Sequence, residues 1–157
     1  MTNAIRYAPT AARLLLGIVF FTMGLDGFIG FVPKPPLEGA SVAFIGALVA
    51  SGYVMPVVKG IEVLAGALLL GNRFVPLALA LLAPIIIAIT GYHIVVAQEG
   101  VAVALVLVAL ELSLAWSYRR AFAPMLQARV VASTSERSAS DPGSSRQAAT
   151  RTSAAAS

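Results

Sequence analysis

FVPLALALLAPIIIAITGYHIVVA, residues 74–97, contains no Asp, Glu, Lys or Arg over 24 positions. As a helix rising about 1.5 Å per residue, it is long enough to cross a hydrocarbon core of about 30 Å. A buried helix of a small soluble domain has no need of such length without a charge. Three further apolar runs flank it, at Ala11 to Val32, Tyr53 to Gly71 and Val101 to Tyr118. The punctuation between them is helical. Pro33, Pro35 and Pro36 remove backbone donors after the first run, and Pro56 suits the first turn of the second. Gly71-Asn72 supplies a stop, and Gln98-Glu99-Gly100 turns the chain into the last run. Pro84, at the middle of residues 74–97, is expected to bend that helix. Leu37 to Ser51 is apolar but too short to span, so an interfacial or re-entrant helix is expected there.

Composition agrees, because 59% of the 157 residues are hydrophobic and 11% charged, whereas soluble domains carry about 25% charged residues. The net charge of +4 is spread over the ends of the apolar runs and the C-terminal part, not clustered with aromatics, which argues against nucleic-acid binding. With no cysteine the chain forms no disulfide, thiol couple, cysteine-held cluster or c-type haem linkage. The first run is too long for a secretory h-region, carries Asp26 and lacks a small-x-small cleavage site, so it reads as an uncleaved anchor. Beyond about Ala128 the chain is Ser, Ala, Thr, Arg and Gln without apolar period and is expected to be disordered. The expected fold is therefore an all-α integral membrane protein. Residues 1–127 form a four-transmembrane-helix bundle with a short interfacial helix between helices 1 and 2, and residues 128–157 form a disordered cytoplasmic tail.

Four spans place both termini on one side, together with Arg6, Arg13, Arg73, Arg119, Arg120 and Arg129. The opposite loops offer Lys34 against Glu38 and Glu99, so the positive-inside rule makes the termini cytoplasmic. An ionisable group inside a span costs about 2.5–3.5 kcal/mol on insertion scales, which makes each one a question. The candidates are Asp26, Lys59, Glu62, His93 and Glu111.

Lys59 and Glu62, three apart on helix 2, can neutralise each other. Such a pair serves either to permit insertion or to shape a site. Asp26, Lys59 and His93 are expected at similar depth in the outer half, and Glu62 and Glu111 nearer the midplane, where Glu111 is an alternative partner for Arg13. His93 is the only histidine, which excludes a multi-histidine metal site, and no metal ligand set is proposed. It is either an interfacial hydrogen-bonder or a proton handler. Gly17, Gly24, Gly60 and Gly66 are expected to permit close helix approach. Arg13, Gly17 and Gly24 share one face of helix 1 while Thr22 and Asp26 share a nearly opposite one. Either Asp26 lies in a frayed last turn or helix 1 is contacted on two sides.

Several stretches taken together resemble the DoxX family of membrane proteins over about Ala12 to Leu126. They are Gly24-Leu25-Asp26-Gly27-Phe28 before the Pro33-Lys34-Pro35-Pro36 loop, Lys59-Gly60-Ile61-Glu62-Val63-Leu64-Ala65-Gly66, Asn72-Arg73-Phe74-Val75-Pro76-Leu77-Ala78-Leu79, Tyr92-His93, and Leu110-Glu111-Leu112 with Ala115-Trp116. Where relatives often carry Asn, this chain has Asp26. The resemblance implies a four-helix protein of the bacterial cytoplasmic (inner) membrane and a link to quinone-associated oxidation, most members having no assigned reaction; transfer of function is by analogy. As a redox-associated subunit, the chain would bind a quinone, or a soluble or membrane redox enzyme, at a polar pocket of Lys59, Glu62 and His93. As a small-solute or proton-coupled carrier, it would use Glu62, Glu111 and Asp26 as titrating sites and need a homodimer. As an assembly or scaffold protein, it would have no chemistry. No cofactor motif is evident, whether the chain is an enzyme is left open, and the lipid bilayer is the expected surrounding partner.

Overall fold

A computed structural model describes residues 2–33 and 36–123, with the backbone alone for residues 2–6. The expected tail at 128–157, the domain boundary at 127, and Lys34 and Pro35 lie outside the described residues. All regular structure among the described residues is helical. The elements are α1 (Thr2–Ile29), α2 (Ala40–Ala50), α3 (Val54–Leu70), α4 (Val75–Val95), a 3-10 turn (Gln98–Gly100), α5 (Val101–Ser117) and α6 (Arg119–Phe122).

α1 differs from expectation at both ends. It begins well before Ala11 and runs through Pro9, whose missing N–H removes one bond without ending the helix. It ends at Ile29 because Gly30 takes φ 66° and its N–H returns to the Asp26 carbonyl at 2.8 Å. That is a glycine stop, and the prolines come after it. Pro84 likewise sits inside α4 without interrupting it. Between α3 and α4 the chain reverses over Asn72 and Phe74, both left-handed at φ 52° and 51°; Asn tolerates that conformation better than Phe.

Each of α1, α3, α4 and α5 packs on the next, and α5 packs back on α1, giving a closed ring of four. Its core includes Leu16 and Phe20 of α1, Ala65 and Leu69 of α3, Leu79 and Leu82 of α4, and Leu107 and Leu114 of α5. The outside is more apolar than a soluble surface. Leu15, Ile18, Leu64, Ile87, Val95, Val106 and Leu112 are exposed, while Arg13, Asp26, Glu62 and Glu111 are buried. That inversion is what lipid, as the surrounding solvent, selects. Among the described residues, three helices are long and apolar enough to cross a membrane, or up to four if α2 and α3, which meet at 87°, count as one bent span.

In lipid, helices associate through close packing more than through apolar burial. α1 and α3 achieve this with glycines on both sides. A Cβ on Gly66 of α3 would lie 2.5 Å from the Phe21 nitrogen of α1, and one on Gly24 of α1 would lie 2.7 Å from the Val63 nitrogen of α3. Farther along the same face the Arg13 guanidinium donates to the Leu69 carbonyl and, at 3.4 Å, to that of Leu70. These are final carbonyls of α3, where the helix dipole favours a cation. The face carrying Arg13, Gly17 and Gly24 thus belongs to α3, and α1 is contacted on two sides, by α3 and by α5.

Candidate functional site

Lys59 and Glu62 stand one helical turn apart on α3, so their side chains project from the same face. Lys59 Nζ meets Glu62 Oε2 at 2.8 Å, with 26% of the Lys59 side chain exposed and 4% of the Glu62 side chain. Neighbouring glycines fix where both side chains go. The methylene stem of Lys59 lies against Gly27 of α1, and the Glu62 Cβ lies 3.0 Å from where a Cβ on Gly24 would stand. A side chain at either glycine would drive the pair out of place.

Beside the pair is a cavity of about 500 Å³ walled by α2, α3 and α4. Four of its lining residues carry polar groups, Lys59, Glu62, Tyr92 and His93; the rest, including Phe44, Leu48, Met55, Val58 and Ile85, are apolar. The volume lies within the roughly 300–1,000 Å³ range of small-molecule sites, and an apolar lining with a few polar groups is their usual chemistry.

His93 is held on two sides. Its ring rests against Gly100, and Nδ1 lies 3.1 Å from the Ala97 carbonyl. A carbonyl only accepts, so Nδ1 carries the proton in that bond, and Nε2 of the neutral ring is an acceptor. The Lys59 ammonium, by contrast, is only a donor. Tyr92 packs edge-on against His93 at 5.1 Å and stacks on Phe44 of α2 at 5.4 Å.

Of the five candidate residues, Lys59, Glu62 and His93 line one cavity and Asp26 and Glu111 do not. Asp26 is 2% exposed and its Oδ1 accepts the Val32 N–H at 2.7 Å, tying down the chain that leaves α1. Because α1 continues to Ile29, Asp26 is not in a frayed turn. Glu111 is buried on α5, and its Oε2 has no hydrogen-bond partner among the described residues. It does not pair with Arg13, whose guanidinium is engaged at the end of α3. Among the described residues no three His, Asp or Glu side chains gather as metal ligands.

Sequence reasoning missed the apolar lining as a whole and, of the aromatic lining residues, both Tyr92 and Phe44. Tyr92 had a signal, a phenol next to the sole histidine, one residue along an apolar helix. Phe44 had none, because nothing in residues 37–51 announces what they pack against. No family model, curated protein or solved structure matches this chain, so its likeness to the DoxX family rests on the sequence stretches alone.

Proposed function

We propose that this chain is a DoxX-like protein of the bacterial cytoplasmic membrane that holds a quinone in the α2–α3–α4 cavity, as the membrane subunit of a redox-linked system. Four spans, α1, α3 with α2 as its bent prelude, α4 and α5, put both termini and the arginine-rich ends in the cytoplasm. α2 then lies at the outer interface. A partner redox enzyme supplies or takes up the electrons.

The observation that carries the proposal is the cavity, about 500 Å³ and largely apolar, with an ammonium donor on its α3 wall and an imidazole acceptor on its α4 wall. A quinone needs donors for its carbonyl oxygens, and the corresponding quinol needs acceptors for its hydroxyls. Lys59 and His93 offer one of each, while Glu62 keeps the Lys59 ammonium neutralised and oriented.

Purification in mild detergent followed by solvent extraction and mass spectrometry tests this. Quinone is expected to travel with the parent protein, and to fall by about tenfold in Lys59→Met/Glu62→Leu, the loss of a charge-assisted hydrogen bond of about 1.5 kcal/mol. A parent carrying no quinone, or a folded double variant retaining as much as the parent, overturns the proposal.

A further inference from the structure

The cavity's three walls are not equally held. α3 and α4 belong to the ring of four, packed along their lengths, whereas α2 packs chiefly on α3. Of the eleven residues of α2, Ser41 alone is buried. Its sequence, ASVAFIGALVA, is apolar all round, as expected of a helix with an apolar medium on both sides. Val42 and Val49 are exposed, while Phe44, Ile45 and Leu48 line the cavity.

Both ends of α2 turn on a glycine. Gly39 has φ 55° and Gly52 has φ 74°, and a Cβ at either would meet nothing within 4 Å. Crowding therefore does not require glycine there; the left-handed backbone does. At Gly52 the chain swings through 87° into α3. Facing the ring of four, Phe44 of α2 stacks on Tyr92 of α4, and one ring stack is a weak tie.

We propose that α2 is a hinged wall through which a flat, lipid-dissolved ligand passes sideways between bilayer and cavity, and that the Phe44–Tyr92 stack is the tie that parts. This deepens the quinone reading and rests on it for the ligand, but the hinge can be tested without any ligand. A solute leaving water would have to cross a helix with no polar side chain beyond Ser41; a molecule already in lipid would not.

The chain has no cysteine, so spin labels at Val49→Cys on α2 and Ile87→Cys on α4 report one distance. In lipid nanodiscs two separations are expected. Phe44→Ala should enrich the longer one several-fold, and Phe44→Tyr, which keeps the ring, should match the parent. A single separation unchanged by Phe44→Ala overturns the hinge. In a second measurement, Phe44→Cys/Tyr92→Cys is closed by a short reducible thiol linker, and exchange of a decyl-tailed benzoquinone between vesicles is followed. Exchange should stop and return on reduction. A benzoquinone that binds and exchanges equally fast with the linker in place overturns the proposal. Labels that part while no benzoquinone binds support the hinge and overturn the quinone reading.

Discussion

The two sides of α3 are built on opposite principles. Toward α1, backbone meets backbone, because Gly24 and Gly66 leave no room for a methyl group on either helix. Toward α2 and α4, the same helix faces a cavity of about 500 Å³, bounded in part by a short helix with a glycine of positive φ at each end. The Lys59–Glu62 pair spans the difference, its stems seated on the α1 glycines and its charged ends at the cavity. A binding group is useful only if it is held, and a binding space only if it can be reached. On the proposed reading, one helix meets both needs by having a close-packed side and a side that faces the cavity.

The rigid side can be broken most severely at Gly66. Gly66→Val inserts a branched side chain where a Cβ already lies 2.5 Å from a backbone nitrogen, and overpacking of this kind costs about 3 kcal/mol. Thermal unfolding in detergent, followed by the loss of helical circular dichroism, should show a large drop. Gly60, on the same helix with nothing within 4 Å, is the control: Gly60→Ala should change stability by no more than about 1 kcal/mol, in the stabilising direction. Equal unfolding temperatures for the two variants would mean that α1 and α3 are not interlocked.

The boundary between the two sides is tested at Glu62. Glu62→Ala leaves the Lys59 ammonium beside an apolar cavity without its counter-charge, at a cost of about 2 kcal/mol, below the 3–5 kcal/mol of a fully buried pair because Lys59 is partly exposed. Lys59→Met/Glu62→Leu should recover most of that stability. If Glu62→Ala unfolds at the parent temperature, the pair contributes nothing to the joint.

On the open side the expected effect is smallest in stability and clearest in spectroscopy. Gly100→Ala places a methyl group where the His93 ring lies, so the ring must leave the Ala97 carbonyl, a loss of about 1 kcal/mol. The nitrogen chemical shifts of the imidazole should move away from the pattern of an Nδ1-protonated ring. An unchanged spectrum would show that Gly100 does not seat His93.

Much of this contrast was legible in the sequence in its parts but not in its assembly. The uncharged run at residues 74–97 and the three-residue spacing of Lys59 and Glu62 are local facts, and local facts survive without a neighbour. Gly17, Gly24, Gly60 and Gly66 all read as points of close approach, but a Cβ on Gly60 meets nothing within 4 Å, and which helix the other three would approach was not readable. The stop of α1 was misread because three prolines in four positions conceal Gly30, which acts first. The cavity was not legible as a space, since it needs Phe44, Glu62 and His93 from three separate segments. The seat of the His93 ring depends on the Ala97 carbonyl, a backbone group with no sequence signature.

The bond from Arg13 to the end of α3 has a consequence for how the chain is made. Arg13 is synthesised 56 residues ahead of Leu69, so α1 is complete while its protein acceptor does not yet exist. An unpartnered guanidinium in apolar surroundings is costly, so Arg13 is expected to hold to a polar boundary until the Leu69 and Leu70 carbonyls arrive. Final seating of α1 is then expected to await α3.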